Sequence, residues 1–474
     1  MADRSLITSY VGEDFEGTEG FDLIRPQDGK ITGHIVEAGD AGVAAAVRAA
    51  TAAFVAHRKA PAHQRAAWLK TAATVLRGAR DEIADLICQD VGKPIRSALF
   101  EVGRGAEFFE ATAAALAHMG GETLPLDVTA TGAGHVGFTR RIPYGVVAGI
   151  TPFNAPVNLL VQKVAPAVAA GNAIIIKPSP AGTRTALRLA RLFEEAGWPK
   201  GLFTVVTGDK VTAAALVGHP QVRAVSFTGG TAGGDALARL AGAKKFTAEL
   251  GSNAANIVFA DADVAEAAKK IAAAAFEASG QQCISAQRIL VEAPALDTFL
   301  PLFVAAAKSL KVGRPQDAST DIGPMVSRAS ADRVMAMCDE AIALGASFAL
   351  QPHQNGAEVS PGILVTVPRR ARLWQDEVFG PIALVVPFTG IDEAIELAND
   401  SPFGLQGAVF TSNLRTAFRF ADDFDVGALW INEASRFRLD VYPFGGVKQS
   451  GVGREGVRYA IDEFSQIKFI GMRP

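Results

Sequence analysis

The sequence predicts an α/β protein built on doubly wound parallel sheets, and three patterns along the chain support that expectation. From Gly145 onward, short apolar runs alternate with helical stretches: GVVAGI, LLVQKVAPAVAAG, AIIIKPS, TRTALRLARLFEEAG, LFTVVTG and, after a further helix-like segment, VRAVSFTG. Runs that are apolar throughout mark strands buried on both faces, and the intervening helices are the crossovers that parallel strands require. A second series begins after Glu249 with ANIVFA, ADVAEAAKKIAAAAFEA and RILVEA, and continues to IALVVPF and GAVFTS. Between Pro125 and Arg141 the pattern is instead short, Thr- and Gly-containing and weakly alternating, which suits a β-hairpin with a Gly-rich turn serving as a contact arm.

The remaining elements follow in order. The N-terminal stretch MADRSLITSYVGEDFEG is polar and acidic, with no apolar run resembling a signal sequence. From Gly42 to Ala117 the chain is Ala-rich with apolar residues at helical spacing and reads as several amphipathic helices. The last residues, DEFSQIKFIGMRP, read as a β-prone tail suited to an edge strand, including one from a second subunit. Apolar stretches such as Gly145 to Ile150 are interrupted well before the roughly 18 residues a membrane span needs, so no transmembrane segment is expected.

With 474 residues, 49% hydrophobic and 20% charged, the chain must bury a large core, and at about 100–200 residues per domain it should form two or three domains. A net charge of −3 gives no electrostatic footprint for nucleic acid or an anionic membrane, which leaves a small molecule as the expected partner. The three cysteines, Cys88, Cys283 and Cys338, are too few and too scattered for a disulfide framework and fit a reducing compartment, the cytoplasm. The seven histidines are equally scattered, so no metal site is expected. One GxGxxG match, Gly451, Gly453 and Gly456, lies where no strand–helix–strand unit follows, and is read as unrelated to phosphate binding.

Cys283 lies in ASGQQCISAQR, a small-residue and amide-rich stretch, whereas Cys88 and Cys338 sit inside helical patterns as inert core thiols. A nucleophilic cysteine needs a nearby base or charge, and the local sequence offers only Arg288. Asn154 follows a buried strand in a loop flanked by prolines, where open α/β sheets place ligands. Lys177 ends another buried strand, and SFTGGTAGG opens a helix whose first N–H groups suit a pyrophosphate. ELGSN and DEVFGP add the acids Glu249 and Glu377.

Taken in order, DVGKP, TPFNAP, KPSP, SFTGGT, ELGSN, GQQC, EVFGP, SPFGL and PFGGVKQSG resemble the aldehyde dehydrogenase superfamily over nearly the whole chain. That resemblance implies a Rossmann-like dinucleotide-binding domain (1–119 and 143–251), an α/β catalytic domain (252–446) and a β oligomerisation arm (120–142 and 458–474) of a homodimer or homotetramer. It also implies NAD or NADP as cofactor. Cys283 matches the family's nucleophile, Asn154 the oxyanion donor and Glu249 the general base. Lys177 matches the lysine at the adenosine ribose, with Thr151, Pro152 and Ser179 beside the cofactor. Gly229 and Thr231 match the pyrophosphate turn, Glu377 the nicotinamide-ribose acid, and Phe379 a residue positioning the nicotinamide. By this resemblance a Cys283 thiohemiacetal loses hydride to give a thioester, which water activated by Glu249 hydrolyses.

Departures from the family pattern matter. Pro180 stands where many NAD-preferring relatives carry glutamate, which leaves NADP open. Ser252 replaces a common glycine and requires φ below zero there, and Phe153 replaces a common tryptophan. Arg436 and Arg438, in NEASRFRLD, border the substrate entrance in relatives and suit a carboxylate, phosphate or sulfonate tail. The segment resembles the lactaldehyde, succinate-semialdehyde and non-phosphorylating glyceraldehyde-3-phosphate branches, with a small anionic or hydroxylated aldehyde as substrate. The alternatives are a CoA-acylating relative, which usually lacks a glutamate at the position of Glu249, and a catalytically silent binding or structural homologue.

Overall fold

The computed structural model describes residues 5–11, 14–15 and 19–474, so parts of the polar N-terminal stretch lie outside the described residues. An eight-stranded sheet runs in the order Gly451–Val452, Lys245–Glu249, Val222–Thr228, Val146–Thr151, Ala173–Pro178, Phe203–Val205, Ser9–Tyr10 and Asp14–Phe15. Its five central strands are parallel, and Val146–Thr151 and Ala173–Pro178 are buried along their whole length, as their uninterrupted apolar runs require. Register decides what this sheet presents at one edge. Thr151 pairs with Pro178, Ile150 with both Lys177 and Phe227, and Thr228 with Glu249, so four strands end level with one another.

A seven-stranded sheet takes the order Ser347–Leu350, Gly362–Val365, Ile382–Phe388, Arg288–Glu292, Ala255–Val258, Gln406–Phe410 and Ala428–Ile431. All its pairings are parallel except that of Ser347–Leu350, an antiparallel edge strand.

The segments expected to form an arm make a further sheet, in which Val136–Pro143 pairs antiparallel with Thr123–Leu124 on one side and with Ser465–Met472 on the other. The C-terminal tail therefore finds its edge in its own chain's hairpin. The segment between the hairpin strands forms two short 3₁₀ turns, Leu126–Val128 and Ala130–Gly132, instead of strand. Gly132 permits this crossing, since a Cβ there would lie 1.8 Å from Leu126 O.

The predicted N-terminal helices are Gly39–His57, Ala62–Gly78, Arg80–Val91 and Ile95–Ala115. Among the described residues, Gly39–His57 alone is long and apolar enough by composition to cross a membrane. Its stripe of Val43, Ala46, Val47 and Ala50 is buried, and the helix packs on Ala173–Pro178 and Lys210–Gly218, as a core helix does. DVGKP is the joint that aims the last of the four helices. Gly92 ends Arg80–Val91 in the left-handed conformation (φ 78°) and Pro94 caps Ile95–Ala115.

Candidate active site

The level strand ends of the eight-stranded sheet open onto a cavity of about 350 Å³, lined by Pro152, Phe153 and Asn154, by Thr228, Gly229 and Glu249, and by Cys283, Glu377 and Phe379. Cys283 reaches it through a strained turn. After helix Val264–Phe276, Ala278, Ser279 and Gly280 are all left-handed, with φ of 52°, 58° and 65°. Two non-glycine residues in this region cost about 1–3 kcal/mol each, which the surroundings must offset. Ser279 Oγ donates to Gly323 O at 2.7 Å, and a Cβ on Gly280 would meet Gly380 O at 2.1 Å. Small residues before the cysteine are thus a packing requirement.

Burial pushes the Cys283 thiol up to about 12; Arg438 opposes this, while Glu377, Glu249 and Glu455 add to it. Cys88 and Cys338 are likewise raised to about 12 by burial, but neither lines this cavity. Arg288, the charge nearest Cys283 in sequence, does not serve the cysteine. Its guanidinium donates to the carbonyls of Asn253, Leu397, Ala398 and Asp400, and it stacks on Trp374.

Glu249 ends strand Lys245–Glu249, buried, and its Oε2 has no hydrogen-bond partner among the described residues. Burial holds this carboxyl well above the usual carboxylate range; Glu455 adds to the effect, while Arg438, Lys163 and Arg454 oppose it. A Cβ on Gly445 would come within 3.0 Å of Glu249 Oε1, so PFGG leaves the carboxyl its space. The C-terminal glycine series has a similar use. Gly451 pairs with Glu249 at the sheet edge, where a Cβ would lie 2.1 Å from Ala248 O.

Glu377 accepts a hydrogen bond from Ser252 N at 3.0 Å, and burial pushes its carboxyl up to about 8. Ser252 is absent from the residues with positive φ, as its replacement of glycine required. A Cβ on Gly251 would press on Thr231 Oγ1 at 3.1 Å and on Glu377 Oε2 at 3.3 Å. Phe379 is itself left-handed (φ 48°), and its ring stands edge-on to Phe153 at 5.7 Å.

Lys177, Ser179 and Thr151 lie at the same sheet edge but outside this cavity's lining. Burial lowers the Lys177 ammonium, opposed by Asp209 and Glu37. Ser179 N donates to Thr151 O at 2.8 Å, while Ser179 Oγ is buried without a hydrogen-bond partner among the described residues. Helix Thr231–Ala241 begins beside Gly229 with its N-cap at Gly230. An orphaned hydroxyl, a buried cation, a helix N-terminus and a buried acid along one cleft fit a nicotinamide dinucleotide.

Behind Cys283 and Asn154 lies a second cavity of about 100 Å³ that shares both residues and is bordered by Arg436, Arg438, Arg104 and Lys93. Helix Ile95–Ala115 supplies one wall, because Ser97, Phe100, Glu101 and Arg104 recur at helical spacing. Every cation here has an acidic partner. Arg436 pairs with Glu277 at 2.5 Å and donates to Gln282 Oε1 at 3.0 Å, while Arg104 grips Asp440 through two bonds of 2.6 and 3.0 Å. Lys93 pairs with Glu101. Arg438 donates from Nη2 to Glu455 at 2.9 Å and to Gln162 at 2.8 Å.

The chain's matches to known proteins agree with this geometry. The model of the aldehyde dehydrogenase family matches residues 13–470. The chain belongs to the aldehyde dehydrogenase family. Among its relatives, 3-sulfolactaldehyde dehydrogenase of Priestia aryabhattai is 39% identical over 409 residues, covering 86% of each chain. Two solved structures are similar over nearly their whole length. The NAD-dependent aldehyde dehydrogenase from Sinorhizobium meliloti has a TM-score of 0.94 at 32% identity, covering 99% of this chain and 95% of that one. GapN, a glyceraldehyde-3-phosphate dehydrogenase from Methanocaldococcus jannaschii complexed with NADP, has a TM-score of 0.92 at 34% identity, covering 97% and 100%. This aldehyde dehydrogenase is accordingly an oxidoreductase acting on aldehydes with NAD or NADP.

Sequence reasoning brought together Cys283, Asn154, Glu249, Glu377 and Phe379, which share one cavity, and Arg436 and Arg438, which share the other. It missed Arg104, Lys163 and Glu455. Lys163 donates to Ser226 at 3.1 Å, Thr228 at 2.7 Å and Glu455 at 3.4 Å, all deep under Glu249. A lysine in the otherwise apolar helix LLVQKVAPAV was the available signal, since a charge inside such a run must be paired.

Proposed function

We propose that this enzyme oxidises a small anionic aldehyde to its carboxylate through a thiohemiacetal and then a thioester on Cys283. The observation that carries this reading is the position of Cys283 and Asn154 at the meeting of two cavities. One is lined by buried acids and fits a cofactor; the other is bordered by cations. The Cys283 thiolate attacks the aldehyde carbon, and the Asn154 amide and the Cys283 backbone N–H stabilise the oxyanion. When bound, the nicotinamide cofactor supplies the acceptor for the hydride that leaves this carbon. Lys177 would hold its adenosine ribose, with Thr151, Pro152 and Ser179 beside the cofactor; Gly229 and Thr231 would hold its pyrophosphate, and Glu377 and Phe379 its nicotinamide side. Glu249 then takes a proton from the water that cleaves the thioester. A base for water favours hydrolysis over acyl transfer to CoA. In this reading 1–119 and 143–251 bind the dinucleotide and 252–446 carry the chemistry, while 120–142 and 458–474 join subunits of a homodimer or homotetramer.

The substrate's charge is read by Arg436, whose side chain is 27% exposed, rather than by Arg438 at 8%. A sulfonate or phosphate tail, such as the names of the similar enzymes specify, would take over donors now shared with Glu277 and Gln282. Arg436→Ala should raise KM for anionic aldehydes about 10–100-fold and leave neutral ones nearly unchanged, as expected from one lost charge-assisted contact. NAD(P)H release across a panel of neutral and anionic aldehydes with both cofactors tests this; equal effects on the two classes would refute it.

The cofactor's 2′ position is left open by Pro180. Both cofactors should support turnover, with NAD favoured over NADP by less than about 1,000-fold in kcat/KM, because no acidic side chain at residue 180 opposes a 2′-phosphate. A larger measured preference would assign that discrimination to another acid.

A further inference from the structure

Arg438 borders the substrate-side cavity together with Cys283, yet it is spent on the protein. Its Nη2 bonds Glu455 and Gln162, Asp440 lies 3.9 Å from its Nε, and its guanidinium stacks 3.6 Å above the Phe444 ring. Phe444 belongs to the small apolar cluster with Ile284 and Leu405 against which Cys283 packs. The arginine is thus clamped on several sides behind the cysteine, and Nε is buried with no hydrogen-bond partner among the described residues.

The charge balance around it is uneven. Lys163 and Arg438 share Glu455, and Asp440 Oδ1, 3.9 Å from Arg438, is already bonded by Arg104. Arg438 is the cation held against the apolar cluster on which Cys283 packs, at the cavity they share, and its charge favours the thiolate while Glu377, Glu249 and Glu455 oppose it.

We infer that Arg438 is a positioning residue whose fixed charge stabilises the Cys283 thiolate, and is not the anchor for the substrate's tail. The S–H proton leaves to solvent through the cavity, the sulfur keeps the bonding pair, and the guanidinium balances the new charge. This inference rests on the reading of Cys283 as nucleophile.

Iodoacetamide alkylation of the purified enzyme, followed against pH with the modified thiol located by mass spectrometry, tests it. In the wild type, alkylation at Cys283 should abolish activity; labelling of Cys283 without inactivation would overturn the nucleophile itself. In Arg438→Met the alkylation midpoint should rise by at least about one pH unit, with roughly tenfold slower labelling at neutral pH. Values of kcat/KM for neutral and anionic aldehydes should fall together, and Arg438→Lys should restore part of both losses. An unchanged midpoint overturns the inference, whether or not KM rises for anionic aldehydes; a selective rise would make Arg438 the tail anchor instead. Should Arg438→Met fail to fold, Arg438→Gln carries the same comparison, since it keeps a donor toward Glu455.

Discussion

An enzyme carrying Glu249→Gln is expected to release a burst of up to one NAD(P)H per active site and then stall as an acyl-enzyme. Glutamine matches glutamate in size and occupies the space that Gly445 leaves, so the fold and the cofactor cleft should survive. What is lost is a proton acceptor for the hydrolytic water, and a general base contributes about 100–10,000-fold to such a step. Rapid mixing should resolve the burst, and intact mass spectrometry should find the acyl group on Cys283. The wild-type pH profile follows from the same carboxyl. Burial raises Glu249 above the usual carboxylate range, and only its ionised form accepts a proton. Thioester hydrolysis should therefore rise with pH through that elevated value and lose this limb in Glu249→Gln. Unchanged steady-state turnover would remove Glu249 from the role of base. Absence of both burst and turnover would instead make it the group that deprotonates Cys283.

Much of this was legible in the sequence because the constraints concerned are local. A short apolar run such as AIII, bounded by Gly171 and Pro178, reads as a strand buried on both faces, which puts Lys177 at its end on the sheet edge. Gly251 and Gly445 could be located as motif glycines, although their reason, the space needed by the Glu377 and Glu249 carboxyls, is visible only in three dimensions. Charge partners were not legible. Arg288 is five residues from Cys283 yet turns into the core to satisfy four carbonyls, whereas Arg438 comes to the cavity it shares with the cysteine from a distant loop. The wall from helix Ile95–Ala115 was missed for a related reason. Its Arg104 and Glu101 look like an ordinary solvated helix face until the fold lays them against the loop carrying Asn154. The tail, too, left its partner strand undecided, because edge-strand character does not say whose edge will be used.

Cys283→Ala should abolish both the burst and steady-state turnover, the most complete loss any single substitution here should cause. Without the sulfur no thiohemiacetal can form, and the oxyanion donors have no tetrahedral adduct to stabilise. Asn154, Glu377 and Phe379 remain in place, so titration with NAD or NADP should show affinity close to that of the unaltered enzyme, which separates lost chemistry from lost binding. The other two thiols provide the internal control. Cys88 and Cys338 are buried in helices, and burial raises both, like Cys283, to about 12. In the folded enzyme only Cys283 opens onto the two cavities. Cys88→Ala and Cys338→Ala should therefore keep turnover and show their cost as lower thermal stability, from the packing removed with a buried side chain. Residual turnover in Cys283→Ala above that of the uncatalysed reaction, or loss of turnover in a folded Cys88→Ala or Cys338→Ala protein, would contradict the assignment. In the first case hydride would be leaving a carbon that was never bonded to sulfur, and the two-cavity arrangement would need a different nucleophile, with water activated by Glu249 as the remaining candidate.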